Sequence, residues 1–336
     1  MDRHVYQRSK GGAAIVPLEN KARIVGSSTP RFAKMVSWKY AQLPASKVSQ
    51  DLEENHHRKT SRKLIQKIGA VVGQMAQQKE LDWVYELPQL ESVVSHISVS
   101  RDGTTTPILR EGYRETMCGT ISFYDSTGSR MHTIYSARAP EYGKESFDRV
   151  MDMELDRVKK QYPKVQYIGL ADGAKNNWTY LEKCTSIHIL DFFHATEHLA
   201  EVSYVMNNDE KLRQQWLCGA SQDLKHKTRG AKMILMELKH HRKTFTAQVP
   251  EVLEKTITYF ENNLHRMNYA AFQKQGYPIG SGVTEAACKV LAKQRLNGSG
   301  MKWTIEVAQH ILLLRGLICT KGRWTQFWQH FDRIRA

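Results

Sequence analysis

Three acidic residues stand out because each lies where its carboxylate could meet a metal ion or a phosphate. Asp102 and Asp172 each precede a glycine and follow an apolar run typical of a buried strand. Glu285 follows the Gly-Ser-Gly break at residues 280–282, on an expected helix whose other charges are basic. A lone carboxylate among positive charges is expected where a divalent cation joins it to a phosphate. Asp102, Asp172 and Glu285 are therefore candidate metal ligands and catalytic residues.

The all-oxygen donor set indicates which metal would bind. Three carboxylates with open coordination positions suit Mg²⁺ or Mn²⁺ better than zinc. Two such ions, held about 3.5–4 Å apart, can activate an attacking hydroxyl and stabilise the leaving oxygen in phosphodiester chemistry. Asp-Gly pairs are also common in turns, so either pair alone predicts a loop as readily as a ligand. The strand that precedes Asp102 and Asp172 favours the ligand interpretation, because ligands gather beyond the carboxyl ends of strands.

The charge of the chain favours a nucleic-acid partner. The 336 residues include 49 Lys and Arg against 34 Asp and Glu, which gives a net charge of +15. Residues 1–90 carry 15 basic and 8 acidic side chains, and residues 276–336 carry 9 and 3. The positive charge is thus concentrated at the two ends of the chain, whereas a merely soluble basic protein would spread it evenly. Phosphate contacts supply most non-specific affinity for DNA.

The cysteines and the apolar runs indicate a compartment. The five cysteines form no Cys-x-x-Cys pair and no zinc-finger spacing, which is typical of a reducing cytosol. No apolar run approaches the about 20 residues that span a bilayer, and the start of the chain lacks the apolar stretch of a secretory signal. We expect a cytoplasmic protein associated with the nucleoid and not with a membrane.

The N-terminal part, residues 1–90, is predicted to be helical after an extended segment over residues 1–25. Thr29-Pro30 predicts a helix start, and Ser46 is expected to cap a second helix after Pro44. A third helix carries apolar residues on one face from position 64 to 75. A basic cluster at its start favours a helix-turn-helix-like DNA-binding module, although a solvated helix face explains the cluster equally well. The candidate DNA-binding side chains of this cluster are Lys59, Arg62, Lys63 and Lys67.

Strand patterns begin near residue 92 and predict a mixed α/β core. Two β-rich runs, 117–124 and 131–135, are joined by the turn sequence that begins at Asp125. A helical pattern and two buried runs, 165–171 and 187–190, follow and predict parallel strands joined by a helix. Arg101 does not fit a buried strand, so that strand should lie at an edge or Arg101 should face DNA. Residues 91–191 then form the first part of a core, 192–275 a helical insertion, and 276–336 the second part.

A competing metal site lies at the start of the insertion. His194, Glu197 and His198 form the H-x-x-E-H pattern of inverted zinc peptidases, with both histidines on one helical face. A peptidase leaves the basic ends and the Glu285 segment unexplained, so we rank this interpretation below phosphodiester chemistry. Around Glu285 the candidate DNA-binding side chains are Lys289, Lys293 and Arg295.

Blocks over nearly the whole chain resemble the ISKra-type insertion-sequence transposases, a group of bacterial DDE transposases. The matching segments are Pro17-Leu18, Thr29–Phe32, Trp38–Ala41, Asp102-Gly103, Gly112–Glu115, Tyr124-Asp125, His132–Tyr135, Pro140–Lys144, Gly169–Ala174, Asn177-Trp178, Leu190–His194, Glu197-His198, Pro278–Lys289, Gln294-Arg295, Ser299–Trp303, Arg323-Trp324 and Gln326–Trp328.

The resemblance implies a ribonuclease-H-like core with a helical insertion and a DDE triad of Asp102, Asp172 and Glu285. It also implies that Asp191 and His194 form the accessory D-x-x-H element, which argues against the zinc-peptidase interpretation of His194 and His198. The implied activity is cleavage and joining of double-stranded DNA at element ends, with two Mg²⁺ or Mn²⁺ ions, in a homo-oligomeric complex. Two alternatives stay open: a catalytically idle or repurposed DNA-binding protein, and a metal-dependent DNA nuclease without strand transfer.

Overall fold

A computed structural model describes residues 5–7, 9, 11, 17, 22–80, 82, 85–246 and 248–334, with side chains up to residue 330. These residues form a mixed α/β structure around one five-stranded sheet. The predicted extended segment at residues 1–25 lies largely outside the described residues. Within the described ranges, none of the helices combines the length and apolar character needed to cross a membrane.

The secondary structure alternates helical regions with a central β region. In chain order the elements are α1 (Pro30–Gln42), α2 (Ala45–His56), α3 (Arg62–Lys79), β1 (His96–Ile108), β2 (Gly112–Tyr124), β3 (Arg130–Arg138), α4 (Glu145–Gln161), β4 (Gln166–Ala171), α5 (Lys175–Cys184), β5 (Ile187–Leu190), α6 (Phe192–Met206), α7 (Glu210–His226), α8 (Gly230–Arg242), α9 (Glu251–Asn263), a 3₁₀ turn (Leu264–Arg266), α10 (Tyr269–Lys274), α11 (Gly282–Ala287), a π-helix (Cys288–Lys293), α12 (Gln294–Leu296), α13 (Ile305–Cys319) and α14 (Arg323–Ile334).

The three helices predicted before residue 80 are present, and two of them start at side-chain caps. Thr29 accepts a hydrogen bond from the backbone N–H of Phe32, and Ser61 accepts one from Leu64. The predicted cap at Ser46 is wrong, because α2 already begins at Ala45 and Pro44 occupies the cap position. The backbone carbonyl of Pro44 accepts the first hydrogen bonds of this helix, from the N–H groups of Lys47 and Val48 at 2.9 and 3.0 Å.

The sheet has the strand order β3-β2-β1-β4-β5. The predicted hairpin is confirmed, because β2 and β3 pair antiparallel across the turn at Asp125. The predicted parallel pair is confirmed as well, since β4 pairs parallel with β5 and with β1. The strand β1 therefore lies at the centre, with an antiparallel neighbour on one side and a parallel neighbour on the other.

The strand β1 is longer than predicted, and this changes the position of Asp102. We expected Asp102 to end the strand, but β1 continues to Ile108 and pairs Asp102 with Cys118 of β2. The three threonines at positions 104–106 favour extended backbone, which explains the continuation through the Asp-Gly pair. On its other side β1 pairs with β4 only as far as Ser100, so Asp102 lies where the parallel pairing ends.

Both expectations for Arg101 are wrong. The strand that carries Arg101 is central, and the side chain is only 2% exposed, so it faces neither a sheet edge nor DNA. Its guanidinium pairs with Asp148 and lies over the rings of Phe147 and Tyr180 at 5.2 and 4.7 Å. A paired and hydrogen-bonded charge is the form in which arginine tolerates burial.

Helices cover both faces of the sheet. The helices α4 and α5 pack on the face of Arg101, and α11, the π-helix and α13 pack on the face of Asp102. The helices α1–α3 share a hydrophobic core with α13. Close approach is possible because Gly69 and Gly73 of α3 have no Cβ: one added there would lie 2.2 Å from Tyr40 and 2.4 Å from His310. The predicted domain divisions remain predictions, but these helices and the C-terminal segment form one packed layer.

Arg295, predicted to bind DNA, is a core residue in the structure. Its side chain is 2% exposed, and its Nε donates to the carbonyl of Tyr40 at 3.2 Å. The guanidinium lies 5.4 Å from the ring centre of Tyr40 and 4.9 Å from that of Trp303. The predicted phosphate contact is wrong, because the helical turn that follows Glu285 directs this cation inward between α1 and the segment after α12.

Replacing Arg295 with alanine should destabilise the fold rather than weaken DNA contacts directly. The change leaves a cavity and removes the donor to the Tyr40 carbonyl, so we expect a loss of about 3 kcal/mol in the free energy of unfolding. Lys293→Ala is the matched control, because Lys293 is exposed on the same segment and should change stability by less than about 0.5 kcal/mol. Urea denaturation measures both, and equal stability of the two variants would contradict the assignment.

Candidate functional site

The sheet register brings Asp102 and Asp172 to the same place. Residues 96–100 of β1 pair in parallel with residues 166–170 of β4, with Ser100 opposite Leu170. Extending that register by two residues sets Asp102 beside Asp172, on the same face because side chains alternate along a strand. Both residues are partly exposed. The predicted convergence of these two carboxylates is therefore supported by the backbone pairing.

Asp102 is held by two donors and is destabilised as an anion. Its Oδ1 accepts from the N–H of Gly103 at 2.7 Å, and its Oδ2 accepts from the Cys288 thiol at 3.6 Å. Burial raises the pKa of the Asp102 carboxyl, the Asp172 carboxylate raises it further, and the two donors partly oppose the rise. A buried carboxyl group whose pKa is raised by a neighbouring carboxylate is a place where a divalent cation would be favoured.

Asp172 is positioned by the start of α5 and by a tyrosine of the insertion. Its Oδ1 accepts from the N–H of Ala174 at 3.1 Å and from the Asn177 amide at 3.4 Å. The hydroxyl of Tyr259 donates to the Asp172 backbone carbonyl at 2.9 Å. Gly173 adopts φ +106°, and a Cβ there would lie 2.9 Å from the Tyr259 ring. The glycine after Asp172 is thus required by a left-handed backbone and by a close side-chain contact.

Glu285 lies on α11, which packs on the face of the sheet that carries Asp102. The hydroxyls of Thr284 and Thr120 share a hydrogen bond of 2.6 Å between helix and sheet. Ser281 occupies the cap position, but its hydroxyl donates to Glu285 Oε1 at 2.9 Å instead of capping the helix. The Glu285 side chain is 49% exposed, so it can reach a ligand in solvent.

Asp191 connects the end of β5 to the start of the Glu285 segment. It is fully buried, and its Oδ1 accepts from the N–H groups of Phe193 and His194 at 2.6 and 3.0 Å, which caps α6. Its Oδ2 accepts from the N–H of Ser281. Gly280 must lack a side chain because a Cβ would lie 2.7 Å from the Phe193 ring. Asp191 therefore positions Glu285 and is too enclosed by these donors to serve as an exposed ligand.

His194 lies between two carboxylates. Its Nδ1 is 3.1 Å from Glu197 Oε2, and its Nε2 is 3.9 Å from Glu285 Oε1. The ring of His198 packs against that of Tyr259, with centroids 3.9 Å apart. The two histidines of the zinc-peptidase pattern thus have different partners. His194 lies close to Glu285, and it also lowers the pKa of Asp102.

The predicted DNA-binding cations, apart from Arg295, lie at the surface. Lys59, Arg62, Lys63, Lys67, Lys289 and Lys293 are exposed. Lys59 lies 3.7 Å from Glu53, and Lys67 donates to Ser27 Oγ at 3.0 Å. These contacts are at the surface and cost little to exchange for a phosphate.

The donor chemistry at this site fits Mg²⁺ or Mn²⁺, although the side chains are not yet arranged as a coordination shell. In the part of the chain that the structure describes, no three Asp, Glu, His or Cys side chains are grouped as metal ligands. The Glu285 carboxylate is turned toward Ser281 and His194, and a side-chain rotation would be needed to direct it at Asp102. Burial and the adjacent Asp172 carboxylate raise the pKa of Asp102, and this is the observation that favours a cation here.

Four residues near the carboxylates were not predicted as parts of the site: Cys288, Tyr259, Thr120 and Thr284. Cys288 lies between Asp102 and Cys118, and its hydrogen bond with Cys118, its burial and the adjacent carboxylate raise the pKa of its thiol. It is therefore a neutral donor. The spacing of Glu285 and Cys288, three apart on a helical segment, was the available signal, since such residues share a face.

The comparisons with known proteins add no family assignment. A scan against protein-family models gives no match, and neither does a search of curated proteins.

Proposed function

We propose that this chain is a DDE-type transposase that cleaves and joins DNA at the ends of an insertion sequence. The observation that carries the proposal is the sheet register that sets Asp102 beside Asp172, with Glu285 on a helix packed on the same face of the sheet. The parallel register brings the first two together, and the Asp191–Ser281 contact anchors the helix of the third. The basic surface and the resemblance in sequence supply the substrate class, double-stranded DNA.

The three carboxylates would hold Mg²⁺ or Mn²⁺, which when bound supplies a polarised hydroxyl and neutralises charge on the leaving oxygen. Asp102 and Asp172 provide fixed anionic charge at the sheet. Glu285 provides a third carboxylate from an exposed side chain. His194 stays close to Glu285, where it can orient that carboxylate or exchange a proton with it.

A ribonuclease-H-like core is part of the proposal. The support is a five-stranded mixed sheet with an antiparallel β1–β3 portion, a parallel β4 and β5, and a helical stretch from Phe192 to Lys274 before the Glu285 helix. The active form would be a homo-oligomer that holds two element ends with target DNA, in the cytoplasm at the nucleoid. A nuclease without strand transfer and an idle DNA-binding protein are the competing functions, and separate assays of cleavage and joining distinguish them.

Removing any one of the three carboxylates should abolish catalysis and leave DNA binding intact. Asp102→Asn, Asp172→Asn and Glu285→Gln each keep the side-chain shape and remove one negative charge, so we expect a loss of at least about 10²–10³-fold in rate. Cleavage and strand transfer are measured separately on a labelled fragment that carries the element ends. Cleavage without joining in the wild type would favour the nuclease, and neither reaction would favour the idle protein.

Asp125→Asn is the matched control for these variants. Asp125 accepts from the N–H groups of Thr127 and Ser129 in an exposed turn, and an asparagine carbonyl can replace it. The activity of Asp125→Asn should equal that of the wild type.

The metal requirement is a separate test. After chelation, Mg²⁺ or Mn²⁺ should restore activity and Zn²⁺ should not. Full turnover in Glu285→Gln, or restoration by Zn²⁺ alone, would overturn the proposal.

Asp102→Asn should make the metal-free protein more stable at neutral pH. Because the folded-state pKa of Asp102 is raised, the native state binds more protons than the unfolded state in the range just above the ordinary carboxyl pKa. The free energy of unfolding of the wild type therefore falls as the pH rises through that range. The Asp102→Asn variant has no carboxyl at this position, so it does not show this fall. The stability difference between Asp102→Asn and the wild type should vanish at a pH below the ordinary pKa of an aspartate carboxyl group.

Added Mg²⁺ should reverse the order of stability at neutral pH. At 100 times its dissociation constant the ion should stabilise the wild type by about 2.7 kcal/mol and Asp102→Asn by much less. Thermal unfolding with chelator and with Mg²⁺ gives both comparisons without any activity assay. Identical responses of the two proteins to Mg²⁺ would remove Asp102 from the metal site.

The basic start of α3 should make a measurable phosphate-dependent contribution to DNA binding. For every phosphate that the protein no longer neutralises, the slope of log affinity against log salt should fall by about 0.9. We expect a lower slope and weaker binding when Lys59, Arg62, Lys63 and Lys67 are all replaced by alanine. Fluorescence anisotropy of a labelled duplex at several salt concentrations measures the slope. A slope equal to that of the wild type would assign these side chains to an ordinary solvated surface.

A further inference from the structure

A groove of about 540 Å³ lies between α1, α3 and α13, away from the carboxylate cluster. Its volume is within the range of about 300–1,000 Å³ that small-molecule sites occupy. Its wall is formed by two N-terminal helices, and its opposite side by the segment around Lys302 and the start of α13. The lining residues that bear on ligand binding are Tyr40, Lys63, Lys67, Lys302, Trp303 and His310.

The charged residues that line the groove are all positive. Lys63, Lys67 and Lys302 are exposed and contribute ammonium groups, and the described lining contains no Asp or Glu. Lys67 donates one hydrogen bond to Ser27 Oγ and keeps its other two protons for a ligand. Three lysines on one groove favour an anionic ligand that carries more than one phosphate oxygen.

The floor of the groove is aromatic and aliphatic. Tyr40 and Trp303 are held together by the buried Arg295 guanidinium between them, and the Trp303 Nε1–H donates to the Leu296 carbonyl at 2.8 Å. Ile311 is fully buried beside them. Such a floor offers contact to a flat, largely apolar group, which a free phosphate does not have.

A buried polar atom without a partner also lines the groove. His310 is 5% exposed, and its Nδ1 has no hydrogen-bond partner among the described residues. Burial lowers the pKa of His310, so the ring is neutral at physiological pH and Nδ1 can donate or accept according to tautomer. The Nδ1 atom is itself enclosed, so the His310 ring serves as part of the inner wall of the groove.

We propose that this groove binds one nucleotide of a DNA strand. The base lies against the Tyr40–Trp303 floor within reach of His310, and the phosphates contact Lys63, Lys67 and Lys302. An acidic peptide would satisfy the lysines but would leave the flat floor unused. The inference rests on the proposed function only in taking DNA as the partner.

The position of the groove relative to the carboxylates gives the proposal a length scale. The N–H of Leu109, directly after β1, donates to the Trp303 carbonyl at 2.8 Å, so the groove lies at the far end of β1. Asp102 is six residues before Ile108 on that strand, which corresponds to about 20 Å at about 3.3 Å per residue. Stacked DNA covers that distance in about six nucleotides at about 3.4 Å each. The groove would hold a nucleotide about six steps from the phosphate that is cut.

Photocrosslinking tests where the base lies. Single-stranded oligonucleotides that each carry one 4-thiothymidine are mixed with the full chain, and the complexes are irradiated. The crosslinked peptides are then identified by mass spectrometry. We expect crosslinks to the peptides that contain Trp303 or His310. Ala70→Phe fills the groove without altering its charge and should remove these crosslinks, whereas Gln78→Phe, exposed on the same helix and outside the groove, should keep them.

Affinity measurements test the contribution of the groove. Ala70→Phe should weaken oligonucleotide binding about 5- to 150-fold, since contact with one base contributes about 1–3 kcal/mol. Lys302→Ala should weaken binding and lower its salt dependence, while Lys232→Ala, exposed on α8, should not. Thermal melting verifies that each variant folds, and Lys302→Ala provides the test should Ala70→Phe fail to fold.

The outcomes separate this inference from the proposed function. Crosslinks in the groove together with no cleavage would overturn the transposase and keep the nucleotide site. Cleavage together with crosslinks confined to other peptides, or with binding unchanged in Ala70→Phe and Lys302→Ala, would overturn the nucleotide site alone. Polyglutamate is tested as a second ligand. If Lys302→Ala weakens polyglutamate binding while neither variant changes the affinity for DNA, the groove is assigned to an acidic protein partner and the inference is overturned.

Discussion

The arrangement of the site depends on one buried carboxylate, Asp191. Its two oxygens accept hydrogen bonds from the first turn of α6 and from Ser281, a residue 90 positions later. This joins the end of the sheet, the start of the helical insertion and the start of the Glu285 helix at one point. Burying a charge is costly unless all its hydrogen bonds are made, so the surrounding backbone must keep this geometry. The long insertion can therefore vary without moving Glu285 relative to the sheet.

A second buried charge connects the other end of the Glu285 segment to the N-terminal helices. Arg295 bonds to the carbonyl of Tyr40, and Arg315 of α13 donates to the carbonyls of Val290 and Ala41. Two arginines thus satisfy backbone acceptors where α1 ends against the Glu285 segment. Helix ends leave carbonyls without partners, and these guanidinium groups supply donors. Buried hydrogen bonds thus join the N-terminal helices, which include the basic start of α3, to the segment that follows Glu285.

Much of the fold was predictable because its signals are local. Caps, the hairpin turn and apolar periodicity indicated α1, α3, the β2–β3 hairpin and the parallel β4 and β5. The errors arose where a tertiary contact decides the outcome. Only the packing shows that Arg101 pairs with Asp148 and that Arg295 lies between two aromatic rings. The sequence indicated three carboxylates, but contacts such as that of the Tyr259 hydroxyl with the Asp172 backbone carbonyl join residues far apart in the chain and leave no local pattern.

The π-helix at Cys288–Lys293 has a consequence for how this segment tolerates changes in length. A turn closed by i to i+5 hydrogen bonds contains one residue more than an α-helical turn. The widened turn accommodates the extra residue, so the helix on either side keeps nearly its α-helical phase. Cys288 can therefore lie under Asp102 while Arg295, seven residues later, lies between Tyr40 and Trp303. Deleting one residue within 288–293 would close the turn to an α-helix and keep that phase, whereas a deletion between residues 282 and 287 would rotate Arg295 by about 100° relative to the sheet.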